Sequence, residues 1–564
     1  MESLEQMSRE PGTSRKRSGG VLLIHAPTLD TVTLFRGAPM GILYAASVLA
    51  ERIDKGEYPG WARDSLYLFD TVSSYSTDPG FALEELNCIL PQRQPDIVAI
   101  GSTSYAFFWA IAIAECVKRW NPECPVIIGG PHEDETGAKG PGGSITAHAG
   151  AFDFSVQGDG EYLFERLVSV LFKRNFDIGL AKNRLVTAGS LANVEGQCQL
   201  TFSLEGNLVE QAPSGRFRAG LRQPGQRPLI LDKLPSPPRW LLPGDVERHF
   251  SVFRYADGTP KRVAQIMAMR GCEYSCSFCT ERGSLSVRSP HRILEELHTL
   301  RDRGYEAAFF DDSTFHLYHQ LPDLLGLLSA DRLSREMEMG FLTRVDNVLK
   351  GESRTPLNLF QEAGFSYFYL GIEHLDDAVL EEMRKGYTVD QIHSCFDLIG
   401  RTKGMKTGVS LLFGLRSESE ASRYDSLRFV AERDEIVLVS MSILAYHPAA
   451  AYDKHHARQL AFDVQAPNLE PEWYLFEEGP WYHPENIGID YVRRFHALVH
   501  RVDRDTRGKL IPKLQRKSQL RPVMDSGAIS RNSRAAAAPA SSLASHPSLP
   551  MPQARRLGAE RGRR

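Results

Sequence analysis

Two blocks of short apolar runs, each alternating with helical patterns, constrain this chain more than any other feature of its sequence. In the first block VLLIHAP (21–27), SLYLFD (65–70), DIVAIGS (96–102), PVIIGG (125–130) and DFSVQGDGE (153–161) read as strands. Most of them run into Gly, Ser or Pro turns. Between them GILYAASVLAERI (41–53), FALEELNCIL (81–90), FFWAIAIAECVKRW (107–120) and EYLFERLVSVLFKR (161–174) carry apolar residues at helical spacing. Such alternation means an α/β fold: a Rossmann-like, doubly wound parallel sheet over 21–175, with ligands at the carboxyl ends of its strands. The second block repeats the pattern with VAQIMAM (263–269), EAAFFDD (306–312), MEMGFLT (337–343), FSYFYLGIE (365–373), KTGVSLLFGL (406–415) and EIVLVSMSIL (435–444). Six β/α units within 251–450 fit a partial (β/α)6 barrel of the TIM type, whose functional face lies at the strand carboxyl ends. The spacing in SPHRILEELHTLRDRG (289–304) predicts a helix with Ser289 as N-cap and Pro290 at its first position.

The remaining segments are expected to connect or to flank. Residues 176–250 are rich in Gly, Gln, Pro and Arg and end in LDKLPSPPRWLLPGD, which suits an extended interdomain linker. Residues 451–508 form a C-terminal extension with a helical pattern, either a cap on the barrel mouth or ordinary packing. Residues 1–20 and the basic, low-complexity tail 509–564 are expected to be disordered. A chain of 564 residues with 42% hydrophobic content has ample core, and its net charge of −4 supplies no field for nucleic acid or an anionic surface. No apolar run approaches the length of a membrane span, and the first residues lack the apolar centre of a signal peptide. The expectation is a cytoplasmic protein with no membrane span and no specific nucleic-acid partner.

Chemistry concentrates in RGCEYSCSFCTERG (270–283). Its three cysteines, Cys272, Cys276 and Cys279, are spaced C-x3-C-x2-C, and they are the only cluster among eight cysteines. In a reducing compartment such a cluster points to metal or catalysis. Either a nearby residue such as His291 closes a zinc site, or three thiolates hold three irons of a [4Fe–4S] cube and leave the fourth open. The loop follows a strand that ends near Met269, where barrel enzymes place their chemistry. Phe278, just before the last cysteine, is positioned to shield a cluster from water.

This motif resembles the signature of the radical SAM superfamily. The resemblance implies that the cysteines are the metal ligands and that S-adenosylmethionine (SAM) chelates the open iron. One-electron reduction would then yield a deoxyadenosyl radical, and an external donor such as flavodoxin or ferredoxin would supply the electron. Further segments match along the barrel. FFDDSTF (309–315) resembles the second-strand motif, with Asp312 a candidate for the methionine amino group, although a strand-end cap is the other reading of this Asp pair. LTRVDNV (342–348) resembles the third-strand segment, where Arg344 or Asp346 faces the site. LGIEHLDDAVLEEMRKG (370–386) matches the segment whose glutamate meets the ribose hydroxyls, here Glu373, for which a buried salt bridge is the alternative. GVSLLFGLRSESE (408–420) matches the fifth-strand segment and implies a cofactor contact at Gly414, with Arg416 and Ser417 replacing the usual Pro-Gly. AYHPAA (445–450) is similar to a further turn of the family without its Gly and Thr.

The first block resembles the cobalamin-binding domain that precedes many such barrels in class B-like radical SAM proteins. Its small and hydroxylated strand ends, Ser102, Thr103, Ser104, Gly129, Gly130, and Gly158 to Glu161, are what the resemblance implies for cobalamin contacts. The D-x-H-x-x-G motif that supplies an axial histidine to cobalt is absent; Met40, Tyr105 or Phe107 would cover that face. Together these likenesses imply a C-methyltransferase that uses methylcobalamin on a small-molecule or peptide substrate. The rivals are cyclisation or rearrangement without methyl transfer, a methylthiotransferase and a non-catalytic cobalamin or SAM sensor. A methylthiotransferase needs a second cluster, and Cys88, Cys116, Cys124 and Cys198 are irregularly spaced.

Overall fold

The structure is a computed structural model that describes residues 19–26, 38–70, 79–103, 106–131, 133, 144–145, 148, 150–187, 189–213, 229–242, 252–254, 260–281, 283, 285–445 and 487–515. The two blocks form two seven-stranded sheets. In the first, β1 (Val21–His25), β2 (Leu66–Asp70), β3 (Ile97–Gly101), β4 (Val126–Gly129) and β5 (Phe154–Gly158) run parallel in the order 2-1-3-4-5. Their near-continuous apolar sequences follow from burial on both faces. Leu22, Ile24, Val98, Ile100, Val126 and Ile128 pack on one side with helix Phe107–Trp120. On the other, Leu23, Ile97, Ala99, Ile127 and Phe154 pack with helices Met40–Asp54 and Glu161–Lys173. This order puts the topological switch point between β1 and β3, where a doubly wound sheet opens a crevice at its carboxyl edge.

The first sheet runs further than the sequence reading has it. Where residues 176–250 are expected to be a linker, helix Ile178–Leu185 is followed by β6 (Cys198–Leu204) and β7 (Asn207–Gln211), which add antiparallel to β5. The cause is legible in CQLTFSL, a strict apolar–polar alternation hidden by the polar composition around it. Glu205 and Gly206, at φ 52° and 78°, make the two-residue left-handed turn that a tight hairpin requires. The proline-rich end of the segment is the crossing. Leu229, Leu231 and Leu234 pack with Tyr44 and Val48, with Met267 against them, and the Ser289 amide donates to Asp232 at 2.8 Å.

The second sheet is the curled partial barrel. Six strands run parallel: β9 (Pro260–Ile266), β12 (Ala307–Phe310), β13 (Glu338–Thr343), β14 (Phe365–Glu373), β15 (Lys406–Phe413) and β16 (Ile436–Ile443). β8 (Val252–Arg254) pairs antiparallel outside β9. Val263, Phe309, Tyr367, Tyr369, Val437 and Leu438 fill the inside, while Phe310, Phe341, Phe368, Val409 and Val439 face the outer helices. A side chain on Gly408 would meet the Tyr367 hydroxyl at 2.0 Å, so the small residue there is what lets the tyrosines cross the lumen. Helix Pro290–Asp302 starts at Ser289 as expected, though the serine hydroxyl makes no cap bond. Of the C-terminal extension, 451–486 lie outside the described residues. Helix Ile489–Asp505 packs against the barrel's outer helices, with Phe495 beside Phe413 at 4.6 Å between ring centroids. Both expected disordered ends fall almost wholly outside the described residues.

Candidate active site

The cysteine loop leaves the barrel at the exit of β9. Two short strands, β10 (Met269–Arg270) and β11 (Ser286–Val287), pair antiparallel at its base. Asp312, 2% exposed, holds that base: it accepts from the Ala268 amide at 3.0 Å and the Met269 amide at 2.6 Å. Burial pushes its carboxyl up to about 7, against those amides and despite the charge they favour. The hydrogen bonds therefore show the strand-end cap, the other reading the sequence allowed. Asp311 lies two residues beyond lumen-facing Phe309 and is solvent-accessible, yet surrounding protein raises its carboxyl to about 6.

All three cysteines are free thiols, with Cys272 and Cys276 buried and Cys279 half-buried. Burial pushes the Cys279 thiol up to about 11, and the neighbouring Cys276 and Cys272 push the same way, so the three sulfurs stand within electrostatic reach. Burial likewise raises Cys272, opposed by the Tyr274 amide and the Thr314 hydroxyl. Such thiols give up their protons to a metal rather than to solvent. Among the described residues, no three His, Cys, Asp or Glu converge closely enough for a single ion. Three thiols on one loop fit a polynuclear cluster, in which each iron takes its own thiolate.

The loop is stapled to the segment after β14. The Ser277 amide donates to Met383 O at 2.9 Å and its hydroxyl to Glu382 O at 2.9 Å. Phe278 packs with Val379, Met383, Leu412, Leu415 and Leu444, forming an apolar wall beside Cys279. Arg344, 5% exposed, reaches the loop directly: Nη1 donates to Cys276 Sγ at 3.2 Å, Nη2 donates to Lys385 O, and Nε pairs with Asp346 at 3.0 Å. Its guanidinium lies 3.6 Å from the centre of the Tyr274 ring, whose hydroxyl meets Asn347 at 2.5 Å.

Glu373 ends β14 at φ +62°, a left-handed conformation that costs a glutamate on the order of 1–3 kcal/mol. The turn folds its carboxylate back over Gly371, where a Cβ would lie 2.5 Å from Oε1. Lys385 Nζ binds Oε1 at 3.0 Å and Ser410 Oγ donates to Oε2 at 3.1 Å. The buried salt bridge is thus what the structure shows for Glu373, and Lys385 is a site residue that the sequence reading passed over, although it stands in the quoted MRKG. Gly414 stands where the C-terminal segment meets the barrel. At φ +93°, a Cβ there would lie 2.4 Å from Ile487 Cδ1, so its smallness admits the C-terminal segment, whose Tyr491 hydroxyl donates to Glu418 at 2.7 Å.

At the first sheet's carboxyl edge, Ser102 donates its hydroxyl to Thr103 O at 2.9 Å and its amide to Gly129 O at 2.9 Å. Gly130, at φ +105°, passes so near that a Cβ would stand 2.7 Å from Ser102 O. Thr103 Oγ1 and Trp109 Nε1 are buried and have no partner among the described residues. Ser104 and Tyr105 lie outside those residues, and Phe107 is taken into the core beside Phe152. Gly158, at φ +77°, ends β5. Glu161 is shared between the sheet edge and the cysteine loop. Its Oε1 pairs with Arg270, while Asp159 lies 3.6 Å from the same guanidinium. Arg270 stands two residues before Cys272, so this ion pair ties the first sheet's edge to the cysteine loop. Glu161 Oε2 and the Tyr44 hydroxyl remain buried without partners among the described residues. Unmatched polar atoms around a glycine-lined crevice fit a large ligand with polar edges, as cobalamin is.

The fold and the thiol loop together define a class: a protein with a partial parallel barrel that presents three thiols on one loop at the carboxyl end of its first strand. Residues 266–430 match the family model of the Radical SAM superfamily. It is 25% identical to an uncharacterized methyltransferase of Pyrococcus horikoshii over 73% of this chain and 78% of that protein. It is 24% identical to the hopanoid C-3 methylase of Methylococcus capsulatus over 68% and 67%. Among solved structures it shares its fold with TsrM of Kitasatospora setae, a radical S-adenosylmethionine methyltransferase with cobalamin and a [4Fe–4S] cluster bound. That match has 19% identity, covers 83% of each chain and has a TM-score of 0.51. OxsB, a cobalamin-dependent S-adenosylmethionine radical enzyme, matches over 74% of this chain and 52% of its own at 14% identity and a TM-score of 0.50. These likenesses extend over both sheets.

Proposed function

We propose that the protein is a cobalamin-dependent radical SAM enzyme that methylates carbon. The observation that carries this is the pairing of two sites through Arg270: a three-thiol loop at the barrel mouth and a glycine-lined, polar-unmatched edge on the first sheet. When bound, the cluster and S-adenosylmethionine supply the adenosyl radical, and methylcobalamin supplies the methyl group. The chain's own residues hold and orient. Cys272, Cys276 and Cys279 are the ligands for the cluster, and Asp312 and Ser277 fix the loop that bears them. Phe278 and its apolar neighbours exclude water on the Cys279 side. Glu373 is locked by Lys385 and Ser410 at the strand end where the resemblance puts the ribose. Gly129, Gly130 and Thr103 leave room and a hydroxyl for the corrin edge.

The substrate is a small molecule or peptide admitted at the barrel mouth, and an external one-electron donor completes the system. A reducing cytoplasm suits both the thiols and that donor. The Rubrivivax gelatinosus anaerobic magnesium-protoporphyrin IX monomethyl ester cyclase, 24% identical over 58% of this chain and 52% of its own, keeps ring formation as the alternative outcome. Anaerobic purification with cobalamin supplied, iron counting and label from S-[methyl-14C]adenosylmethionine test the reading. One cube of iron, bound cobalamin and label passing to cobalamin support it. Two cubes, or SAM cleavage without methyl transfer, overturn it.

A further inference from the structure

Arg344 hydrogen-bonds a sulfur of the cysteine loop directly, Nη1 to Cys276 Sγ at 3.2 Å. The charges around it form a compact set. Arg344 pairs with Asp346 at 3.0 Å, Lys350 with Asp346 at 3.1 Å and Lys385 with Glu373 at 3.0 Å. Lys350 lies largely exposed beyond Asp346, and the buried pairs balance, so the cation in contact with Cys276 is the Arg344 guanidinium itself. Arg344, Asp346, Lys385 and Glu373 are all buried, so solvent screens this charge weakly. The Cys279 side differs, since Glu281 adds negative charge there. Hydrogen bonds to the sulfurs, net charge and solvent exposure are the protein's levers on a cluster's reduction potential.

Resting on the functional reading above, we propose that Arg344 is a positioning residue that raises the electron affinity of the cluster through Cys276. One electron delivered by the external donor adds one negative charge to the cluster, with no bond made or broken. A fixed cation donating to a ligand sulfur favours that reduced state over the oxidised one. The fork geometry matters as much as the charge. A single guanidinium reaches the sulfur, the Lys385 carbonyl and Asp346, while stacking on Tyr274 of the same loop. A lysine keeps the charge and loses the fork.

The test is the midpoint potential of the reconstituted cluster, read by optical and electron-spin titration with iron counted in the same samples. Arg344→Gln is expected to lower the potential by at least a tenfold change in the reduction equilibrium, 59 mV for one electron. Arg344→Lys falls between it and the native protein. Asp346→Asn removes the opposing carboxylate and moves the potential upward, a shift that a merely structural role does not produce. Should Arg344→Gln take up no iron, Asp346→Asn alone decides, and an unchanged or lower potential there overturns the proposal. Full iron with an unchanged potential in Arg344→Gln also overturns it and leaves the functional reading standing. A native protein that takes up no cube of iron overturns that reading and this inference together.

Discussion

The barrel mouth and the first sheet's carboxyl edge are both strand-end sites, yet they are built on opposite principles. The barrel mouth is charged and largely committed: Arg344, Asp346, Lys385 and Glu373 are interlocked before any cofactor arrives. The sheet edge at β3 and β4 is made of glycines and hydroxyls and leaves Thr103 Oγ1 and Trp109 Nε1 without partners among the described residues. The difference follows the ligands proposed for each. An anionic iron–sulfur cluster needs buried charge that is already oriented, whereas a corrin with amide edges needs space and unspent hydrogen bonds. The two should therefore fail separately.

Cys276→Ala gives the largest effect expected. It should abolish the cluster and SAM cleavage while cobalamin binding persists, as read by iron content and absorbance after anaerobic purification. Loss of both cofactors together would mean that the sites are one cooperative unit and would break the comparison. Next comes Glu373→Gln, which leaves Lys385 buried without its carboxylate. Breaking a buried pair costs about 3–5 kcal/mol. Hydrogen exchange should show this in β14 and β15, with β1 to β5 unaffected.

Acid should separate the regions too. Burial lowers the His374 imidazole to about 4, and the residue is fully buried against Phe413. The unfolded chain binds this proton near pH 6.5, so the contribution is whole above that pH and is lost as pH falls toward 4, about 3 kcal/mol in all. Buried Glu133 in the first domain has the opposite sign. Burial raises its carboxyl, so its contribution is whole below its unfolded pKa and is lost as pH rises through the folded value. Between pH 6.5 and 4 the His374 contribution to barrel protection should fade, against the opposite trend of the raised Asp312 carboxyl, and comparison with His374→Phe should isolate it. Gly130→Ala reverses the target: left-handed strain of about 1–3 kcal/mol and a clash with Ser102 O should cost cobalamin and spare iron.

The fold was legible wherever period and composition agreed. VLLIH and the four strands like it are apolar because both faces are covered, and the six barrel strands fall where their runs stand in the sequence. CQLTFSL was hidden because its neighbours are polar, although its alternation is strict. At the site the cysteines and Phe278 stand together in one short motif, while Arg344 or Asp346 is indicated only through the family resemblance of the third-strand segment. What escaped was long-range. Arg270 meets Glu161 across 109 residues, and Ile487 fills the space over Gly414, 73 positions away. Neither partner carries a local signal, since an arginine after a strand and a glycine at a strand end each have many uses. Asp312 and Glu373 show the same limit. Their motifs locate carboxylates at strand ends, but only the neighbouring amides and Lys385 say which way each carboxylate is turned.

Thr103→Ala is expected to have the smallest effect, and its sign makes it the sharpest of these tests. A buried hydroxyl with no partner among the described residues costs about 1 kcal/mol or more in the empty protein, so its removal should leave stability unchanged or slightly raised. If the hydroxyl is held in reserve for a corrin amide, the same change should weaken cobalamin binding about fivefold, near 1 kcal/mol. Ser102→Ala is the control, because that hydroxyl is already bound to Thr103 O and its loss should cost stability with or without ligand. Equilibrium dialysis with cobalamin, set beside melting of the cobalamin-free protein, reads both quantities. Opposite signs at Thr103 mark a site organised around a ligand. Destabilisation of the empty protein together with unchanged affinity would make Thr103 part of the fold alone and leave the first sheet's edge without its distinguishing feature.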